Sequence, residues 1–191
     1  MKRGKPPGRF RVIAGRWRGR RFPIPRLDGL RPTPDRVRET AFNWLQPVID
    51  GACCLDLYAG SGALGVEALS RGARRVVFVE RDAQAVASLR NLLSTLDSAD
   101  AEVVRADALA FLDGRPQAFD VVLLDPPFAD GFPQRLCTLL ETRGWLAAHA
   151  RIFLEHARRS AVPPLPANWT LHRSRHAGQV AFHLALRSAP A

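Results

Sequence analysis

Four short apolar runs in the middle of this chain each close on a carboxylate, and each is followed by a stretch with helical patterning. The runs are CCLD at 53–56, RVVFVE at 75–80, AEVVRAD at 101–107 and FDVVLLD at 119–125. The stretches after them are ALGVEALSRG, DAQAVASLRNLLSTL, ALAFLDG and PQRLCTLLETRG. Near-continuous apolar runs of this length suit strands covered on both faces. Strands alternating with helices require right-handed βαβ crossovers. A fifth run, RIFLEH at 151–156, continues the series, and NWTLHRSR and QVAFHLALR pair as a final hairpin. The expected fold is therefore α/β. It is a Rossmann-like, doubly wound, mostly parallel sheet of seven strands with an antiparallel C-terminal edge hairpin.

The chain before this region is built differently. Two β-prone runs, 10–14 and 20–24, flank a Gly/Arg/Trp turn and predict a small hairpin. Residues 1–9 lack an apolar pattern. Next comes RPTPDRVRETAFNWLQPVI, read as a helix capped by Thr33, with Pro34 in its first turn and an apolar stripe of Val37, Ala41, Leu45 and Val48. The expected division is a basic arm and hairpin over 1–30 and a larger α/β domain over 31–191.

Charge separates the two parts. Of the net +10, residues 1–38 carry +11 and the rest of the chain −1. A basic segment on a near-neutral body is an electrostatic footprint for phosphates. Arg16, Arg18, Arg20 and Arg21 are its candidate nucleic-acid contacts, and Trp17 among them would offer a stacking face. No apolar run approaches the length of a membrane span, and no apolar segment of signal-peptide type follows the basic N-terminus. Cys53, Cys54 and Cys137 form no CxxC pair, and the five histidines have no metal spacing. These observations point to a cytoplasmic protein without membrane contact or bound metal.

Ligands of such sheets bind outside the carboxyl ends of the strands. Asp56, Glu80, Asp107 and Asp125 all arrive there. The first turn, DLYAGSGALG, has Gly60, Gly62 and Gly65 in GxGxxG spacing, with Glu80 about 20 residues further on. An NAD-binding protein is one reading of that pattern. Asp56 weighs against it, since a carboxylate four residues before the first glycine would crowd a pyrophosphate. The full set suits S-adenosylmethionine better. Asp56 would face the ammonium, Glu80 the ribose hydroxyls and Asp107 the adenine amine. Tyr58, Ser61, Arg81 and Ala108 complete the candidate cofactor set.

With these motifs in hand, the chain resembles the S-adenosylmethionine-dependent methyltransferases of Rossmann type. The succession RPTPDRVRETAFNWL, LDLYAGSGALGVEALSRGA, VFVERD, DALAFL, FDVVLLDPPF, together with IAGRWRGRRF near the start, resembles the RsmD family of bacterial 16S rRNA guanine-N2 methyltransferases. The resemblance covers roughly residues 10–157. It implies methyl transfer to an exocyclic guanine amine of 16S rRNA, within an assembling small subunit, by a monomeric enzyme.

The DPPF sequence at 125–128 resembles a motif of enzymes that methylate exocyclic amines of nucleobases. The lone pair of such an amine is delocalised into the ring. Asp125 and the Pro126 carbonyl can accept its two N–H groups and turn the lone pair outward. Pro126 and Pro127 stiffen the loop. Phe128 can stack on an unstacked base. Glu155 ends a further strand at the same rim and is a candidate for the base pocket, and the helix start at Thr33–Arg36 for the methionine carboxylate. Other readings are a methyltransferase for another amine, in DNA, RNA or protein, and an RNA-binding protein without catalysis.

Overall fold

The computed structural model describes residues 8–25, 27, 33–127, 132 and 134–189. Two strands, β1 (Arg9–Arg11) and β2 (Arg21–Pro23), form an antiparallel hairpin, and helix α1 (Asp35–Ile49) follows. The alternating region then runs β3 (Cys53–Asp56), α2 (Ala63–Ser70), β4 (Arg75–Glu80), α3 (Ala83–Thr95), β5 (Ala101–Arg105), α4 (Ala108–Leu112), β6 (Phe119–Leu124), α5 (Gln134–Thr142) and β7 (Leu146–Ala157). It closes with β8 (Trp169–Ala177) and β9 (Val180–Arg187).

Seven strands form one sheet in the order β5-β4-β3-β6-β7-β9-β8. The first five are parallel, and β9 and β8 add antiparallel at one edge. The chain progresses outward from β3 in one direction and from β6 in the other. The switch point, where such sheets open a crevice, therefore lies between β3 and β6. The seven-stranded mixed sheet expected from the sequence is the one observed. Strand β7 begins at Leu146 rather than near Arg151, because Phe119 of β6 already pairs with Leu146 before an irregularity resets the register.

Side chains alternate between two cores, one on each face of the sheet. Cys54, Val76, Phe78, Val121, Leu123 and Phe153 pack against α1, α2 and α3. Leu55, Val77, Val122, Leu124, Ile152 and Leu154 pack on the opposite face, where Trp145 and the residues of α5 lie. Gly65 permits the closest helix–strand approach, since a Cβ there would come within 2.1 Å of the Phe78 ring.

The hairpin shares the first of these cores. Phe10, Val12, Trp17, Phe22 and Ile24 are buried with Val37, Phe42 and Val66. Its turn is bonded along α2. Glu67, wholly buried, accepts from the backbone N–H of Ile13 and Ala14 and from the Arg71 guanidinium. The Ser70 hydroxyl accepts from the Trp17 N–H and donates to the Ala14 carbonyl. Arg38, also fully buried, donates to the Arg11 carbonyl and pairs with Asp35. Thr33 does not cap α1 as its spacing suggests. The N-cap position falls on Pro34 and no side chain caps it.

Among the described residues, no helix is long and apolar enough to cross a membrane, and no three His, Cys, Asp or Glu side chains are grouped to hold a metal ion.

Candidate active site

The strand registers put four carboxylates on one face of four adjacent strands. Asp56 pairs across with Phe78 of β4 and Leu123 of β6, and Leu124 of β6 pairs with Leu154 of β7. Residues two apart share a face. Glu80, Asp56, Asp125 and Glu155 therefore project to the side carrying α1 and α2, at the carboxyl ends of β4, β3, β6 and β7. Asp107 stands at the end of β5, at the outer limit of the same rim.

Each acid is held differently. Asp56 is 1% exposed, and its Oδ2 accepts from the Gly65 N–H at 2.9 Å. Glu80 accepts from the N–H of Gly60 at 2.9 Å and of Asp82 at 2.8 Å, one on each oxygen. Asp107 caps α4 through Oδ1, which accepts from Leu109 and Ala110. Asp125 is half-buried and accepts a 2.8 Å hydrogen bond on Oδ2 from the Thr33 hydroxyl. No other described residue bonds to it, and its Oδ1 has no partner among them. Glu155 is 2% exposed, and its Oε2 has no partner among the described residues.

This crowding of acids raises proton affinity. Burial, then the neighbouring charges of Asp125 and Glu80, push the Asp56 carboxyl up to about 7. Burial raises Asp125 to about 6 against the lowering effect of the Thr33 hydrogen bond. Burial and Asp125 together raise Glu155 further, to about 9. Burial of both carboxyls and their mutual repulsion make the Asp125–Glu155 pair hold a proton more tightly than an isolated carboxyl does. Among the described residues, none of Asp56, Glu80, Asp125 and Glu155 forms a salt bridge.

The glycine turn leads into α2. Gly62 sits at the N-cap of that helix with φ +79°, and a Cβ there would meet the Leu89 side chain at 2.4 Å. Ser61 is buried beside it, Tyr58 is half-buried and Ala108 is buried under the start of α4. Arg81 is exposed after β4. Of the stretch that opens the base site, Pro126 is buried and Pro127 exposed, and Phe128 lies outside the described residues.

The basic hairpin is placed less simply. Trp17, expected to offer a stacking face, is only 6% exposed and packs into the core under the Arg16 guanidinium. A base cannot reach its ring. Arg16, Arg18, Arg20 and Arg21 are exposed. The turn that carries the first three binds Ser70, at the end of α2 away from Gly62, and Arg20 donates to the Thr95 carbonyl at the end of α3. Eight residues of helix, about 12 Å, thus separate the hairpin tip from the rim.

Two residues had weaker signals in the sequence. Thr33 reads locally as a helix cap, and its partner Asp125 lies 92 residues away. Glu67 stands within the otherwise apolar turns of ALGVEALS, and a buried acid in such a helix signals a partner held from outside it.

Comparison with known proteins agrees with this architecture. The family described as "Conserved hypothetical protein 95" matches residues 10–186. The ribosomal RNA small subunit methyltransferase D of Escherichia coli strain K12 is 49% identical over 182 residues, which is 95% of this chain and 92% of that protein. The protein of that name from Haemophilus influenzae is 44% identical over 96% of this chain and 98% of its own length. Among solved structures, the putative methyltransferase yhhF from Escherichia coli superimposes with a TM-score of 0.89 at 49% identity, covering 96% of this chain and all of that one.

Proposed function

Because the chain belongs to the Conserved hypothetical protein 95 family, the RsmD group, we propose that it methylates small-subunit ribosomal RNA at the N2 amine of a guanine, using S-adenosylmethionine. The observation that carries this reading is the row of acids at the switch point, with Asp125 fixed by Thr33 through one oxygen and its other oxygen unpartnered among the described residues.

The donor set fits the cofactor. Sulfonium and ammonium are cations, and the rim holds carboxylates that pair with no cation among the described residues. Asp56 and the glycine turn would receive the amino acid end, Glu80 the ribose and Asp107 the adenine. Glu80 is prearranged for this, since the Gly60 and Asp82 N–H groups fix both of its oxygens. When bound, the cofactor supplies an electrophilic methyl group on sulfur.

The chain's own residues prepare the amine. Asp125, ionised above about pH 6, accepts one N–H on the oxygen that Thr33 leaves open. The Pro126 carbonyl accepts the other, and the two prolines hold the loop in place before the base arrives. The lone pair then points out of the ring plane towards the methyl group. Alignment of this kind supplies much of the rate in such transfers. After transfer the nitrogen carries an extra proton, and Asp125 is basic enough to take it. Glu155, protonated, adds no second negative charge beside Asp125 and can donate to the guanine carbonyl.

The test uses small ribosomal subunits from a strain lacking the endogenous activity. The purified chain and isotopically labelled S-adenosylmethionine are added, the RNA is digested, and nucleosides are read by mass spectrometry. One N2-methylguanosine per subunit is expected. Label on adenosine, on protein or on nothing would overturn the reading.

A further inference from the structure

We infer that the exposed edge strand β8 is a second RNA-binding surface, reading the phosphates next to the base that enters the site. The whole-body charge of −1 conceals it. Residues 39–155 carry −6, whereas residues 156–191 hold five arginines and no acid. Arg187 is committed to Glu141 at 2.7 Å. Arg158, Arg159, Arg173 and Arg175 are exposed, and none of the four pairs with a described carboxylate.

Register ties this strand to the site. Glu155 of β7 pairs with Phe182 of β9, and Phe182 pairs with Arg175 of β8. Asp125, Glu155, Phe182 and Arg175 thus form one lateral row on one face of the sheet, with Arg173 two residues along from Arg175. Strands lie about 4.8 Å apart. Arg175 therefore starts about 10 Å from Glu155 and about 14 Å from Asp125, a span that the backbone flanking an extruded base can cover. Trp44 of α1 roofs Phe182, with ring centroids 5.4 Å apart, and beyond it the row reaches open surface at Arg175. Within the sheet, β8 pairs with no described strand but β9, and Thr170–His176 are exposed on both faces.

The occupant is RNA rather than a second strand. A strand presenting Arg173 and Arg175 from one face repels its own copy and attracts a polyanion. The β8 edge then lies beyond one end of the row of acids, so an RNA whose base enters the rim meets Arg173 and Arg175 beside it.

This inference rests on the proposed reaction for the identity of the polyanion, and its test separates the two. The double variant Arg173→Gln, Arg175→Gln is compared with the intact chain. Binding of a fluorescent single-stranded oligoribonucleotide is titrated at several salt concentrations. Each lost phosphate contact should flatten the plot of log affinity against log salt by about 0.7–0.9, so the pair should flatten it by roughly 1.4–1.8. On small subunits KM should rise roughly tenfold with kcat and cofactor affinity unchanged. An unaltered slope and KM would overturn the inference. So would self-association of the variant by light scattering with RNA binding intact, since the arginines would then only guard a strand edge. If the intact chain binds RNA but transfers no methyl group to it, the proposed reaction fails while the salt slope still judges the surface.

Discussion

Thr33→Val removes one hydroxyl and keeps the shape of the side chain, so it isolates the hydrogen bond to Asp125. That bond is 2.8 Å long, and Thr33 is 7% exposed. Hydrogen bonds to charged groups contribute about 1.5–3 kcal/mol when buried. Asp125 is half-buried, so the low end applies, about 1.5 kcal/mol, or roughly one pH unit. The bond favours the ionised carboxylate, and its loss therefore raises the Asp125 pKa above about 6. Since kcat/KM reports ionisation in the free enzyme, its acid limb should move up by about one pH unit. Far above that limb a smaller loss should remain, about three- to tenfold, because Asp125 can then turn away from the amine. Thr33→Ser should restore the limb. A pH–rate profile for Thr33→Val that overlays the parent profile would refute the assignment of Asp125 as the titrating group held by Thr33.

Two other outcomes follow from buried acids. Glu155 has its pKa raised on folding, so its contribution to stability is greatest at low pH and is lost as pH rises towards about 9. Glu155→Gln should therefore melt above the parent by several degrees at pH 8–9, with the gap closing towards pH 5; calorimetry that finds the gap constant with pH would show that the carboxyl is not held protonated. Glu67→Ala removes the acceptor of the Ile13 and Ala14 N–H groups and should release the hairpin turn. Hydrogen exchange should then rise by at least tenfold over residues 12–20 and little in β3–β6, at a cost of about 2–4 kcal/mol in stability; protection retained at 12–20 would mean that Ser70 alone secures the turn.

The sheet was legible because its parallel strands are short Val/Leu/Phe runs, each closed by an acid and separated by helices with a clear apolar stripe. The start of β7 was not, because Leu146–Ala150 is poor in β-branched residues and becomes a strand only by pairing with β6. The row of acids was readable at Asp56, Glu80, Asp107 and Asp125, since each sits at a strand end. Its shared face depends on register between strands, which no local pattern carries. Trp17 was misread for a related reason. Cations on both sides of it suggest a stacking platform, but the turn lies on α2, and the ring faces the core while Arg16 and Arg18 face water. The β8 surface was hidden by arithmetic, since acids in the central strands cancel the arginines of the edge in any sum over the whole body.

The docking of the hairpin on α2 also orders events in time. Residues 9–24 are synthesised first, yet the groups that anchor their turn, Glu67 and Ser70, come more than forty residues later. At about 5–20 residues per second, the most basic part of the chain waits for roughly 2–10 s before it has a surface to fold on. During that interval Phe10, Val12, Trp17 and Phe22 have no core to pack into, beside a run of arginines. Only when α2 forms do these apolar groups withdraw and leave the arginines alone on the outside. A nascent chain halted before Glu67 should therefore hold RNA through both its cations and its aromatic rings, and lose the aromatic part of that grip once synthesis passes Ser70 and α2 has folded.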